Sequence, residues 1–177
     1  MVEVQQAANA FIPEYQDYIV HVGKFKQQKR HDILIKAYAK ANVEQKLVLV
    51  GTGPLMEESK QLVKELNIED KVIFAGFQKN PYPWIKHAKL MVLSSDFEGL
   101  GLVILEAIAL GTSVVSTDCP SGPSEVLASV NLSPVREVDI LAENIRLALK
   151  NPEKYQTTLH TQFYPEIAAQ AYLSLNS

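Results

Sequence analysis

Residues 18–42 read YIVHVGKFKQQKRHDILIKAYAKAN, and the hydrophobic period changes inside that stretch. Tyr18–Val22 is a short run rich in β-branched side chains and reads as a buried strand. From His31 to Asn42 the apolar positions are Ile33, Leu34, Ala37, Tyr38 and Ala41, one face of a helix. Between them, Gly23–Arg30 carries Lys24, Lys26, Lys29 and Arg30 within eight positions. A strand, a basic loop and an amphipathic helix in succession make the first half of a βαβ unit.

The same alternation continues outward. Lys46–Val50, Val72–Phe74, Leu90–Leu93 and Ser113–Ser116 read as further buried strands, and Val130–Val135 as a weaker sixth. Pro54–Leu66, Leu100–Leu110 and Val138–Leu149 read as helices. The expected fold is α/β, a Rossmann-like doubly wound parallel sheet with helices on both faces. Residues 18–150 form that domain, residues 1–17 a linker or lead-in segment, and residues 151–177 a C-terminal helical segment with an amphipathic stretch at Pro165–Leu175.

Composition narrows the function. The chain has 177 residues, 47% hydrophobic, enough for one well-filled core. A net charge of −3 gives no global field for nucleic acid. The single cysteine, Cys119, forms no disulfide within the chain. No apolar run approaches the roughly 20 residues of a membrane-spanning helix. The N-terminus lacks a signal-peptide pattern. These features point to a cytoplasmic protein, compatible with a peripheral place at a membrane. His21, His31, His87, His160 and Cys119 make no metal-ligand spacing, so neither metal nor cofactor is expected.

In a doubly wound sheet, ligands sit beyond the carboxyl ends of the strands where the winding reverses. The loops after the first and fourth strands meet there in the common strand order. The first is the basic loop; the second is Ser94–Gly101, with Asp96, Glu98, Gly99 and Gly101, opening into a helix. Cations facing a helix N-terminus suit a diphosphate. Alternatively, such a loop is a solvated surface, the better reading for Lys26 and Arg30 and an even choice for Lys24 and Lys29. Glu106 is the one charged residue of an otherwise apolar helix. It is either satisfied by a neighbouring group or an acceptor for ligand hydroxyls about 9 Å from the helix start. Gly51-Thr52-Gly53-Pro54 lacks the Lys-Ser/Thr of a P-loop and reads as structural. The absence of GxGxxG after the first strand disfavours NAD.

Glu98-Gly99-Leu100-Gly101-Leu102-Val103-Ile104-Leu105-Glu106 resembles the E-x7-E signature of retaining GT-B glycosyltransferases, the group often called family 4. Gly111–Pro123, Val22-Gly23-Lys24, Lys29 and Gly51–Pro54 resemble that family in the same order, across roughly residues 18–150. The resemblance implies a single donor-binding half of a GT-B fold, lacking its N-terminal acceptor domain. Such a half binds a nucleotide-sugar, UDP ahead of GDP, and barely turns over alone. The implied partners are that donor, the acceptor domain and a glycan or lipid-linked acceptor. It implies Glu106 on the ribose and Glu98 on the donor sugar as the catalytic residue. Gly23, Lys24 and Lys29 belong at the diphosphate, with backbone N–H groups of Gly101 and Leu102 assisting at the helix start and Gly99 and Leu100 also at the donor. The base lies near Gly76 and Phe77. Lys24 departs from the arginine usual at its position, keeping the charge without the planar fork. Ser129–Val135 lacks the glycines common there. A sugar-nucleotide epimerase of similar fold and a non-catalytic nucleotide-sugar-binding module remain alternatives.

Overall fold

A computed structural model describes residues 2–99 and 101–164, together with residues 167, 169 and 173. Six strands form one sheet: β1 Tyr18–Val22, β2 Lys46–Val50, β3 Val72–Gly76, β4 Leu90–Leu93, β5 Val114–Thr117 and β6 Leu132–Ser133. Their order is β3-β2-β1-β4-β5-β6, and every pairing is parallel. The winding therefore reverses between β1 and β4. The connections carry α2 His31–Ala41, α3 Met56–Glu65, α4 Tyr82–Lys86, α5 Leu102–Ala109 and α6 Pro123–Val126, and α7 Val138–Lys150 follows β6.

Because side chains alternate along a strand, each strand feeds two cores. Ile19, Leu47, Leu49, Leu90, Val92 and Val115 pack with Ile33, Leu34, Ala37 and Tyr38 of α2 and Leu141 and Ile145 of α7. Val20, Val48, Val50, Met91, Leu93 and Val114 point the other way, onto Ile85 of α4 and Ile104, Leu105 and Ile108 of α5. This explains why the strands read as unbroken apolar runs.

The elements follow the sequence reading with shifted ends. β6 is two residues long, after a turn of 3₁₀ helix at Ser129–Asn131. The segment before β1 carries an additional helix, α1 Val2–Ala7, whose Val4 joins the core beside α4 and α5. One buried residue on fewer than two turns leaves no periodicity to read. The helix expected at Pro165–Leu175 lies outside the described residues, except that Ile167 is buried in the α5-side core. No helix among the described residues is long and apolar enough to cross a membrane.

The glycine turn after β2 is structural for a specific reason. A Cβ on Gly51, at φ +134°, would lie 2.1 Å from the Gly23 carbonyl oxygen; one on Gly53 would lie 2.6 Å from that of Phe25. The β1 and β2 loops thus pack backbone on backbone, tied by Phe25 N–H to Thr52 O at 3.0 Å and Leu55 N–H to Phe25 O at 3.0 Å. Gly51→Ala should therefore cost about 3 kcal/mol or more, from clash and positive φ together. Gly111→Ala, at φ +78° with nothing near its Cβ, should cost about 1 kcal/mol. Urea unfolding of the two variants checks the contrast.

Candidate functional site

The loops after β1 and β4 close on each other through backbone-directed bonds. Ser94 Oγ donates to the carbonyl oxygens of Lys29 and Arg30 at 2.8 and 3.0 Å. Gln28 Nε2 donates to Phe97 O at 2.9 Å, and Asp96 N–H to Gln28 O at 2.9 Å. Asp96 is clamped between Arg136, at 2.8 Å, and Arg30, at 3.4 Å. Those guanidiniums, Arg136 first, hold its carboxyl below the usual range against the effect of burial. Arg30 is thus occupied by Asp96 and by Asp32 at 2.7 Å, which fits a structural rather than a ligand role.

At the centre of this junction Lys29 Nζ reaches both oxygens of Glu98, at 2.7 and 2.9 Å. The side chains are 18% and 7% exposed. Ser95 Oγ donates to the same carboxylate, and the Ser95 carbonyl is held in turn by Thr117 Oγ1 at 2.6 Å. The stem of Lys29 lies under Gly23, whose Cβ would meet its Cδ and Cε at 3.5 Å. A lysine has three donor hydrogens. Two of them go to Glu98.

Two cavities flank the pair. One, of about 190 Å³, is lined by Gly23, Lys24, Thr52, Phe77, Gln78 and Pro81 and is mostly apolar. The other, of about 370 Å³, is lined by Glu98, Gly99, Ser121, Gly122 and Glu125. Lys24 and Lys29 therefore serve different neighbours: Lys24 borders the apolar cavity, and Lys29 holds Glu98. Phe77 is exposed at the rim, and Gly76 ends β3 in the left-handed region at φ +71°. Leu100 lies outside the described residues.

α5 begins at Leu102, with Gly101 preceding it at φ +59°, a conformation that favours glycine. The first intrahelical bond runs from Ile104 N–H to Gly101 O at 2.8 Å. The N–H groups of Leu102 and Val103 precede it, as at any helix start. Glu106 then stands four residues into the helix, about 6 Å along its axis rather than 9 Å. The helix is not buried all round: Leu102, Val103, Glu106 and Ala109 form a half-buried flank.

Glu106 accepts a hydrogen bond from Tyr82 Oη at 3.1 Å. Burial raises its carboxyl to about 7, while the Tyr82 hydroxyl pulls in the opposite direction. The sequence reading missed Tyr82, because residues 24 positions apart on two helices have no local signature.

Beneath the basic loop lie His21 and His31, their rings 4.6 Å apart, with Phe25 stacked on His31 at 3.9 Å. Burial lowers His21 to about 4 and His31 to about 2, so both are uncharged at neutral pH. His21 Nδ1 lies 2.9 Å from Val92 O, which requires the proton on Nδ1. Cys119 is buried, and burial raises its thiol. Among the described residues no group of three or more His, Cys, Asp or Glu is placed to hold a metal ion.

The titration of Glu106 makes stability depend on pH. A carboxyl raised from 4.5 to about 7 by folding favours the folded state below 4.5. That contribution is lost as pH rises through 7. Glu106→Gln should leave stability nearly unchanged at pH 5 and raise it at pH 8. The melting temperature should rise by about 2–4 °C for each kcal/mol recovered. Thermal melts of both proteins at the two pH values check this.

Comparison with known proteins agrees with this architecture. The profile of the family Glycosyl transferases group 1 matches residues 4–159. An N-acetylgalactosamine-N,N'-diacetylbacillosaminyl-diphospho-undecaprenol 4-alpha-N-acetylgalactosaminyltransferase of Campylobacter jejuni is 38% identical over 69% of the chain and 33% of its own length. The lipopolysaccharide 1,6-galactosyltransferase of Escherichia coli K12 is 34% identical over 61% and 32%. The chain thus spans about a third of the length of these relatives. Among solved structures, S. aureus TarM with UDP superimposes with a TM-score of 0.75 at 22% identity, over 93% of this chain and 34% of that one. Anabaena HepE with UDP and glucose gives 0.74 at 23%, over 88% and 45%. These two show a shared fold. With a parallel sheet wound in this order and a family match over most of its length, the chain belongs to the glycosyl transferases group 1 family.

Proposed function

We propose that this chain forms the donor-binding surface of a retaining glycosyltransferase. It would bind a nucleotide-sugar, UDP-linked first, and pass a hexose-type sugar to a glycan or lipid-linked acceptor. The observation that carries the reading is the Lys29–Glu98 pair at the winding reversal, beside the start of α5.

In this reading the diphosphate lies over Gly23, drawn by Lys29 and Lys24 and by the N–H groups at the start of α5. The base enters the apolar cavity beside Phe77, and the sugar enters the cavity bordered by Glu98, Ser121 and Glu125. The ribose lies between them, along the flank of α5, with its hydroxyls on Glu106. Transfer breaks the bond from the anomeric carbon to the diphosphate oxygen, and the electron pair leaves with the nucleotide. The anomeric carbon becomes oxocarbenium-like, and the acceptor hydroxyl attacks on the face the nucleotide leaves, giving its proton to the departing diphosphate oxygen. Fixed cations and a helix start stabilise the departing charge without reorganising during the reaction. Lys29 would serve two anions, orienting Glu98 for the sugar while neutralising the leaving group.

The acceptor would be brought by a second domain facing the same edge. The names of the relatives support this class of chemistry: one Campylobacter protein acts on a diphospho-undecaprenol substrate, and one Escherichia coli protein adds galactose to lipopolysaccharide. UDP in the TarM and HepE structures supports a uridine donor.

Calorimetric titration with UDP and with UDP-N-acetylgalactosamine tests the division between the two glutamates. Glu106→Gln should weaken both ligands alike, by up to about tenfold per 1.4 kcal/mol lost. Glu98→Gln should weaken the sugar nucleotide but leave UDP unchanged or bound more tightly, because Lys29 is released from its partner. Equal weakening of UDP by both substitutions would show the roles are misassigned. Efficient sugar transfer by this chain alone would overturn the need for a second domain.

A further inference from the structure

Residues 77–82 touch both ends of the proposed nucleoside site. Phe77, Gln78 and Pro81 line the apolar cavity. One residue later, Tyr82 turns its hydroxyl onto Glu106, 3.1 Å away. Tyr82 is only 6% exposed, locked in the core with Trp84 and Ile85. Its backbone is also fixed: Asn80 Oδ1 accepts from Tyr82 N–H at 3.3 Å, and Asn80 Nδ2 donates to the Ala7 carbonyl at the end of α1 at 2.7 Å. Gln78 Nε2 donates to Ala75 O at 3.0 Å, tying the start of the segment to β3.

We propose that Tyr82 is a positioning residue for Glu106, holding its carboxylate as a hydrogen-bond acceptor for the ribose, and that residues 77–82 couple the base cavity to that acceptor. The proposal rests on the donor-binding reading above. An ionised carboxylate accepts at both oxygens, whereas a protonated one turns one of them into a donor. A phenol hydroxyl donating to one oxygen favours the ionised form and fixes the carboxylate plane. It leaves the remaining lone-pair positions oriented along the α5 flank.

No other titratable side chain on the elements packed most closely against α5 does this. α1 brings Glu3, which is exposed. α4 brings Lys86, also exposed and bonded to Asn9 Oδ1. β5 brings none. Burial and the Tyr82 hydroxyl set the behaviour of Glu106.

Tyr82→Phe is the test, because it keeps the buried ring and removes one oxygen. Glu106 is followed directly by the carbon-13 shift of its carboxyl in labelled protein, and UDP affinity is measured from pH 6 to pH 9. In the parent, affinity should rise through about pH 7. In the variant the Glu106 midpoint should move upward, and affinity near neutral pH should fall about three- to tenfold. The deficit should shrink toward pH 9. An unmoved midpoint, or the same loss at every pH, overturns the positioning role. 2′,3′-Dideoxy-UDP separates this from the underlying reading. If the parent binds UDP and the dideoxy probe equally, the ribose placement on Glu106 falls and the proposal with it; if it binds neither, the uridine donor reading falls and the proposal with it. If the parent discriminates and Tyr82→Phe matches it at every pH, Tyr82 alone is misassigned.

Discussion

All six strands run the same way, so the loops that leave their carboxyl ends share one edge, and the ion pair between Lys29 and Glu98 decides how two of them meet. The pair spans the winding reversal, joining the loop after β1 to the loop after β4. Burying it costs desolvation of both ions, and removing one partner would leave the other uncompensated. The junction answers that cost with further donors: Ser95 on the carboxylate, Ser94 on two backbone carbonyls, and two arginines on Asp96. The backbone contacts of Gly51 and Gly53 with the β1 loop brace the same region from the β2 side.

The two glutamates of the E-x7-E pattern live in opposite surroundings. Glu98 is held by a cation and a hydroxyl. Glu106 is set against an apolar flank with the Tyr82 hydroxyl as its hydrogen-bond partner among the described residues. One carboxylate is therefore oriented by charge and the other by a single neutral donor.

Much of the architecture was legible. The switch from strand to helical period at residues 18–42, repeated along the chain, carries the parallel sheet. The position of the basic loop before a helix, and of Glu98 before α5, marks the carboxyl edge. What stayed hidden depended on distant partners. Arg136 reads as an ordinary surface cation until Asp96, 40 residues away, is seen against it. α1 is under two turns with one buried valine, below what periodicity detects. Lys24 and Lys29 look equivalent in a run of basic residues, yet one borders a cavity and the other an anion, because Lys29 sits in the 3₁₀ turn just before α2.

The sequence by itself determined the fold class and which loops carry the cations and the carboxylates, because periodicity and loop composition are local properties of the chain. Only the tertiary structure decided which cation meets which carboxylate, and that Tyr82 answers Glu106. Those pairings join residues 24 to 69 positions apart. No local preference specifies them; they arise when the sheet order brings separate loops and helices within hydrogen-bonding distance.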